Sequence, residues 1–480
     1  RITEDYAQCE FCNLVVVEAN GWLNWLKEEL QNMKKSWNEI TNNEIPLLAP
    51  AYACEVFVNG EKPIFEEKNI RFVFSNEKAY SLIEGYSLYD DQLIFVRELI
   101  QNSLDALKIK FWHDLRGGRY SNEIEEEVLK KLPRKEGKID YSDLQPFDFK
   151  NTSVYDNYKV IVRVEHKEGE EQAKFIIEDN GIGISIEDLK NKIVNTGSSW
   201  NSDKSKKDME EMPKWLQPTG SFGIGLHSVF ALADTIYIQT KSEQERDGYE
   251  MILHSGKRDG YVLVNKNKKE ISFCSMYSTG THIEVILDMK RYKNRSNKQN
   301  HNIFVPEGEI FINRPESNLC FAIETQIKDL LVHPLFEIEY SCGEHINVCK
   351  KFSQLSTYSL LFDKDKRNKL CDEFYKDDKK DYDFVLDNFG RDIIIWLRKG
   401  IVFYFSFDED DTIDSEIYCK GIKIKNAKVE NILPWIELKE MDIFSGNGND
   451  ILIASRNELK EEYENKIIKI LEEVNQKIAE

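Results

Sequence analysis

The period of the hydrophobic positions changes along the chain and divides it into stretches. Trp22, Trp25, Leu26 and Leu30 recur at helical spacing, a stripe read as core packing, until Ile45 to Pro50 breaks the pattern. Val56 to Val58, Asn59-Gly60, Pro63 and Phe65 predict a short hairpin, followed by an alternating run through Ile70, Phe72 and Phe74. From about Gly85 to Asp288, strand runs such as Val160 to Val164 and Lys174 to Ile177 are interleaved with helices and three glycine-rich turns. Within it, the polar stretch His113 to Asn157, with Gly117, Gly118, Pro133 and Gly137, is expected to be a surface insertion. A basic, Asn-rich connector, Lys290 to His301, marks a domain boundary. Beyond it, Ile393 to Leu397, Ile401 to Phe407 and Ile451 to Ala454 predict strands of a second α/β region. The charged tracts Asp363 to Lys380 and Asp408 to Glu416 read as solvated loops. Leu459, Tyr463, Ile467, Ile470 and Leu471 predict an amphipathic helix over Arg456 to Glu480.

The 480 residues suffice for roughly three domains of about 150 residues each. With 65 Lys and Arg against 85 Asp and Glu, the net charge of −20 repels a phosphate backbone and argues against nucleic acid as the main partner. The apolar runs are strand-sized and no membrane span is expected. Nine scattered cysteines in a chain too large to need staples predict free thiols in a reducing, cytoplasmic compartment. Cys9 and Cys12 form a lone C-x-x-C without a second pair at zinc spacing, which is also ordinary helix-face spacing. There is no basic segment followed by an apolar core near the start, and the first residue, Arg1, suggests a piece of a longer chain.

Three motifs carry chemistry. In Phe95 to Lys108, FVRELIQNSLDALK, Glu98, Asn102 and Asp105 fall at i, i+4 and i+7 on one narrow stripe, beside an apolar stripe of Phe95, Leu99, Ala106 and Leu107. The Asn102 amide can bind a hard cation such as Mg²⁺, and Glu98, one turn away, can orient and deprotonate a water. An amphipathic surface helix has the same pattern. In Phe175 to Ile184, FIIEDNGIGI, a strand delivers Asp179 to a turn containing Gly181 and Gly183. An ionised carboxylate only accepts hydrogen bonds, which suits the exocyclic amine of adenine, and the glycines permit close approach; plain turn chemistry is the other reading. In Thr219 to Ala233, TGSFGIGLHSVFALA, Gly220, Gly223 and Gly225 precede an apolar helix from about Leu226, and amides at such an entrance bind phosphate. No Lys-Ser/Thr pair follows, so this is not a P-loop, and packing alone stays an alternative. Asn195 to Gln217, with Gly197, Ser198, Ser199 and many lysines, has the composition of a mobile segment that could fold over phosphates.

In chain order, E-x-x-x-N-x-x-D-A at Glu98 to Ala106, D-x-G-x-G at Asp179 to Gly183, G-x-x-G-x-G at Gly220 to Gly225 and Gly280-Thr281 resemble the GHKL ATPases. That superfamily holds gyrase, the ninety-kilodalton heat-shock chaperone, histidine kinases and the MutL mismatch-repair proteins. Ser221-Phe222-Gly223-Ile224-Gly225, Ser228, Phe230 and Ala233-Asp234 are most similar to the heat-shock chaperone. Tyr418-Cys419-Lys420-Gly421-Ile422 resembles the strand before that family's catalytic loop, and Ser455-Arg456-Asn457-Glu458-Leu459 the loop itself. The resemblance covers about Tyr80 to Glu480, firmly in the first domain and more loosely in the second.

The resemblance implies an α+β chain in which a Bergerat-type ATP-binding α/β sandwich is followed by a second α/β domain of the chaperone middle-domain type. Residues 1–83 then form a helical and hairpin segment that could end a preceding domain. Residues 84–290 form the ATP-binding domain with the insertion 113–157 and a lid at 195–222, and 291–480 form the middle-like domain. ATP and Mg²⁺ are the implied cofactors. Glu98 would be the general base, Asn102 the Mg²⁺ ligand, and Asp179, helped by Thr281, the adenine reader. Gly183 would allow close approach to the base, while Gly220, Gly223 and Gly225 would hold phosphates and hinge the lid. Arg456 would reach the γ-phosphate across the domain gap. Asp105, Ala106, Gly181, Gly197, Ser221, Phe222 and Ile224 complete the implied nucleotide-binding set.

Three departures qualify this. Lys460 stands where the chaperone family has a glutamine four residues after its catalytic arginine, the first 80 residues and 113–157 have no counterpart, and no dimerisation domain is recognised. The implied function is Mg-dependent ATP binding and slow hydrolysis driving lid closure and domain docking in a chaperone-like protein, with ATP/ADP and an unknown protein client as partners. The alternative is a nucleotide-gated regulatory or interaction module of a larger protein, such as a bacterial effector, with little turnover. A histidine kinase is opposed by the lack of a preceding phospho-acceptor helix. A DNA-acting relative is opposed by the acidic balance and by Arg456 in an S-R-N-E-L context.

Overall fold

The computed structural model describes residues 93–190 (136 and 168 apart), 195–196, 210–219, 225–254, 262–267, 278–296, 318–331 and 334–351 (344 and 350 apart). It further describes 359–363, 382–386, 390–406 (398 and 399 apart), 415–424, 437–453 (445 and 447 apart) and 458–479, with isolated positions in 22–37 and at 73–74. The C-x-x-C, the hairpin at Asn59-Gly60, Gly197, Gly220, Ser221, Phe222, Gly223, Ile224 and Arg456 lie outside the described residues. Trp22 and Trp25 are helical but exposed, not core, because helical spacing defines a face without supplying anything to cover it.

Helix α1 (Ile94–Arg116) runs a further two turns past Lys108. It contains no glycine or proline and carries four Leu, two Lys and two Arg, which favour helix, and it stops at Gly117. Phe95, Val96, Leu99, Leu107 and Phe111 are fully buried, and so are Glu98 and Gln101 to within a per cent or two, so α1 is enclosed on several sides and is not a surface helix.

It packs on a sheet of eight strands: β1 (Lys159–Glu165), β2 (Gln172–Asp179), β3 (Thr235–Lys241), β4 (Gly248–His254), β5 (Val262–Asn267), β6 (Gly280–Asp288), β7 (Glu337–Cys342) and β8 (His345–Cys349). The spatial order is β8-β7-β1-β2-β6-β3-β4-β5, antiparallel except for the parallel pair β1/β7. Alternation assigns the faces. Val160, Val162, Phe175, Ile177, Ile238 and Val285 point into the core, where Phe175 meets Phe95 edge-on at 5.2 Å. On the other face, Glu178 takes Arg163 at 3.1 Å and His282 at 2.8 Å. Helix α2 (Asn318–Leu330) also packs on α1, and β7 and β8 extend the sheet, so this layered unit takes in chain from beyond the boundary expected at 290.

The expectation of free thiols is corrected at one pair. Cys320 of α2 and Cys342 of β7 form a disulfide with their Cα atoms 6.1 Å apart, since the packing of helix on strand brings together residues that are distant in sequence. Among the described cysteines, Cys349 and Cys419 are free thiols.

A second sheet contains β9 (Tyr382–Leu386), β10 (Asp392–Leu397), β11 (Ile401–Ser406), β12 (Glu416–Cys419), β13 (Ile422–Lys423) and β14 (Glu437–Ile443) in the order β9-β10-β11-β14-β12-β13. Ile393, Ile395, Phe403 and Phe405 pack with Ile467 and Leu471 of helix α3 (Glu461–Ala479). Ile394, Trp396 and Val402 join the core of the first unit. Burial on both faces explains why these strands read as unbroken apolar runs.

The surface-insertion reading of 113–157 is overturned. Leu144, Phe147, Phe149, Val154 and Tyr155 are buried, Tyr155 stacks on Phe111 at 5.4 Å, and Phe147 meets Trp396 of the second sheet at 5.6 Å. The Trp396 indole donates to Gln145 Oε1 at 2.7 Å. A polar composition describes the outer side chains of the segment; its aromatic ones wedge between the two sheets. Two smaller readings also change. Ile451 ends a short helix, with Leu452 bridging Leu459, where a strand over Ile451 to Ala454 is expected. The run Tyr418 to Ile422 is not one strand but a tight hairpin turning at Lys420-Gly421.

Candidate functional site

The antiparallel register aligns three polar residues at one end of the first sheet. Thr281, at the start of β6, pairs with Asp179, at the end of β2, and on its other side with Thr240 of β3. The same alternation that sends Phe175 and Ile177 inward sends Asp179 inward, so its carboxyl is buried. It accepts the Gly181 N–H at 2.9 Å and is also bonded by Ser103 of α1 and by the Thr281 backbone. Burial nevertheless pushes its pKa up to about 7, outweighing these donors. Thr240 Oγ1 lies 3.3 Å from Thr281 Oγ1 and accepts the Ile184 N–H at 2.8 Å, which ties the glycine turn to the row.

The turn itself is clamped between α1 and β3. Ile182 N donates to the Ala106 carbonyl at 3.3 Å, and a Cβ on Gly181 would fall 2.8 Å from the Ala106 backbone. Gly183 has φ +73°, and a Cβ there would lie 2.1 Å from the Lys241 carbonyl oxygen, so both conformation and space demand glycine. Asn180 anchors the turn by accepting Lys159 N–H at 2.9 Å and donating to Asn157 O at 2.7 Å.

Two turns before Ala106, Glu98 is buried against the last glycine of the third motif: a Cβ on Gly225 would come 2.2 Å from Glu98 Oε2. Residues Gly225–Ala231 form a 3₁₀ helix packed on α1, where the sequence predicts an apolar helix from Leu226. Asn102, between Glu98 and Ala106 in the helix, is exposed. The structure thus brings Glu98, Ala106, Asp179, Gly181, Gly225 and Thr281 onto or against α1 and the adjoining strand ends. Among the described residues no group of three or more His, Cys, Asp or Glu side chains could hold a metal.

Asp105 holds the start of the glycine loop. Its carboxylate accepts Thr219 N at 2.8 Å, Thr219 Oγ1 at 3.1 Å and Lys108 Nζ at 3.1 Å. The sequence reading gives no site role to three residues of this neighbourhood: Ser103, Thr240 and Lys420. Lys420 comes from the second sheet and donates to the carbonyls of Lys214, at 3.2 Å, and Gln217. In the sequence it is marked by the run Tyr418 to Ile422 and by its position before a glycine, a turn signal. Lys460, which stands four residues after Arg456, is exposed just before α3.

With this geometry in view, residues 94–281 match the family model of "Histidine kinase-, DNA gyrase B-, and HSP90-like ATPase". That region is therefore similar to this ATPase family, and it lies in an α+β fold with a second α/β unit after it. Relatives named "Chaperone protein HtpG" align with it: that of Borreliella burgdorferi is 27% identical over 214 residues, 44% of this chain and 27% of the relative. The HtpG of Vibrio parahaemolyticus is 26% identical over 227 residues, 47% of this chain and 29% of the relative. The mitochondrial "TNF receptor-associated protein 1 homolog" of Dictyostelium discoideum is 25% identical over 190 residues, 40% of this chain and 22% of the relative. The chain is thus matched to less than a third of the length of each of these relatives. Among the described residues no helix is long and apolar enough to cross a membrane.

Proposed function

We propose that the protein binds ATP where β2 and β6 end against α1 and slowly hydrolyses its β–γ bond. The observation that carries this reading is Asp179, a buried carboxyl at a strand end beside a glycine turn clamped on α1. Beyond the donors it already has, a carboxylate there can accept a further one, which the exocyclic amine of adenine supplies; the carbonyl at the same position of guanine would set acceptor against acceptor. Thr281 and Gly183 flank that base position. Mg²⁺ usually takes few protein ligands and several from phosphate and water, which fits the exposed Asn102 amide one turn from Glu98. When bound, the ion neutralises phosphate charge.

Glu98 takes a proton from the attacking water, whose oxygen bonds to the γ-phosphorus as the bond to the β–γ bridging oxygen breaks, leaving ADP and phosphate. The loop that ends at Gly225 receives the phosphates, and Arg456 reaches the γ-phosphate from the second domain. Nucleotide-dependent closure of 195–222 and docking of the second α/β unit on the first would do chaperone-like work on a protein client in the cytoplasm. The relatives named as chaperones support this reading.

Isothermal titration of ATP and GTP into the protein and its Asp179→Asn form tests it. ATP binding that is lost in the variant, with GTP weak throughout, is expected. Equal affinity of both proteins for ATP would overturn the assignment.

A further inference from the structure

Lys420 and Gly421 form a two-residue turn between β12 and β13 with φ of 54° and 81°, the left-handed pair that a tight hairpin requires. Lysine is an uncommon choice there, since a side chain in this region is strained. The turn is pinned from behind, where Gly421 N donates to the fully buried Asp442 at 2.9 Å. The Lys420 side chain is buried and crosses to the first domain, where it donates to the carbonyls of Lys214 and Gln217. A second contact of the same kind lies beside it. Gly448 of the second domain stands so close to Thr219 that a Cβ would fall 2.1 Å from the Thr219 carbonyl oxygen. Thr219 in turn is bound through its N–H and hydroxyl by Asp105 of α1. The chain from second domain to α1 is therefore continuous: Lys420 and Gly448, then residues 214–219, then Asp105, on the helix that carries Glu98 and Asn102.

We propose that Lys420 is a positioning residue of the nucleotide site, fastening residues 214–219 to the second domain so that the chain enters the phosphate loop at a fixed place. The inference rests on the ATP reading above. It differs from the part given to Arg456, since Lys420 acts on the backbone of 214–219. Burial, and after it the charge of Lys108, pull the Lys420 ammonium down to about 7, so a phosphate arriving at the neighbouring loop would draw a proton onto it and tighten the clasp.

Hydrogen exchange and steady-state kinetics on the whole chain test this. In Lys420→Met without nucleotide, the amides of Leu216, Gln217 and Thr219 should exchange about tenfold faster while those of β10 and β11 do not change. The KM for ATP should rise about tenfold with kcat altered less than twofold, the split expected of lost positioning. Gly448→Ala, which pushes the same segment without touching the lysine, should reproduce both effects. Unchanged exchange at 214–219 in both variants overturns the proposal, as does faster exchange with an unchanged KM. Because the exchange is read without nucleotide, failure of the wild-type chain to bind ATP would sink the ATP reading and leave the clasp judged separately.

Discussion

Thr281 lies directly opposite Asp179 in the β2–β6 ladder, and its backbone bonds to the Asp179 carboxyl. No local feature of either segment specifies this pairing; it follows from a register in which eight consecutive residues of β6 meet β2. A register slip of one residue would turn Asp179 to the outer face, where Glu178 and His282 now pair.

The protonation of Asp179 makes binding pH-dependent. With its pKa near 7 in the free protein, the carboxyl is mostly neutral at pH 6 and mostly ionised at pH 8. The ionised form is the stronger acceptor for the adenine amine, so binding of adenosine should be weaker at pH 6 than at pH 8, by up to about tenfold, since one unit below the pKa about one carboxyl in ten is ionised. Titration calorimetry checks this, and a flat profile would contradict it.

The same shift has a stability consequence of opposite sign. The folded carboxyl keeps its proton to about 7, whereas an ordinary one loses it near 3.8, so the fold binds the extra proton between these values. Stability contributed by the neutral form is full at low pH and falls as pH rises across this window, by roughly a few kcal/mol. Asp179→Asn removes the effect, so its Tm relative to the wild type should be higher at pH 8 than at pH 5.

Gly183→Ala should destabilise the protein by about 2–4 kcal/mol, combining left-handed strain with a clash against rigid backbone at Lys241. Urea denaturation measures this. Gly137→Ala, also at positive φ but with nothing near its Cβ, should cost only the strain, about 1 kcal/mol.

Glu98→Gln should lower ATP turnover by about 10² to 10⁴ while leaving binding nearly intact, the range of a lost general base. Gly225→Ala should move the same carboxylate, since its Cβ would displace Oε2, and lower turnover in the same direction with Glu98 still present. Phosphate-release kinetics beside binding isotherms separate the two effects.

Phe147→Ala should cost about 3–5 kcal/mol, the range for a buried aromatic, and a double-mutant cycle with Trp396→Leu should show coupling. A peripheral insertion would tolerate the change within about 0.5 kcal/mol.

What the sequence by itself determined was local: the apolar runs of β1, β2, β10 and β11, the helical period of α1 and α3, and the residue types Glu98, Asn102, Asp179 and Gly183 with their spacing. Side-chain period and turn chemistry are properties of neighbouring residues, so they can be read without the fold. Tertiary structure alone decided which of these meet. It placed Thr240 and Ser103 around Asp179, set Glu98 against Gly225, joined β7 to β1, paired Cys320 with Cys342, drove Phe147 and Tyr155 inward from a polar segment, and carried Lys420 to the entrance of the glycine loop. These contacts join residues up to a few hundred positions apart, and their partners are chosen by register and packing, which no short stretch of chain contains.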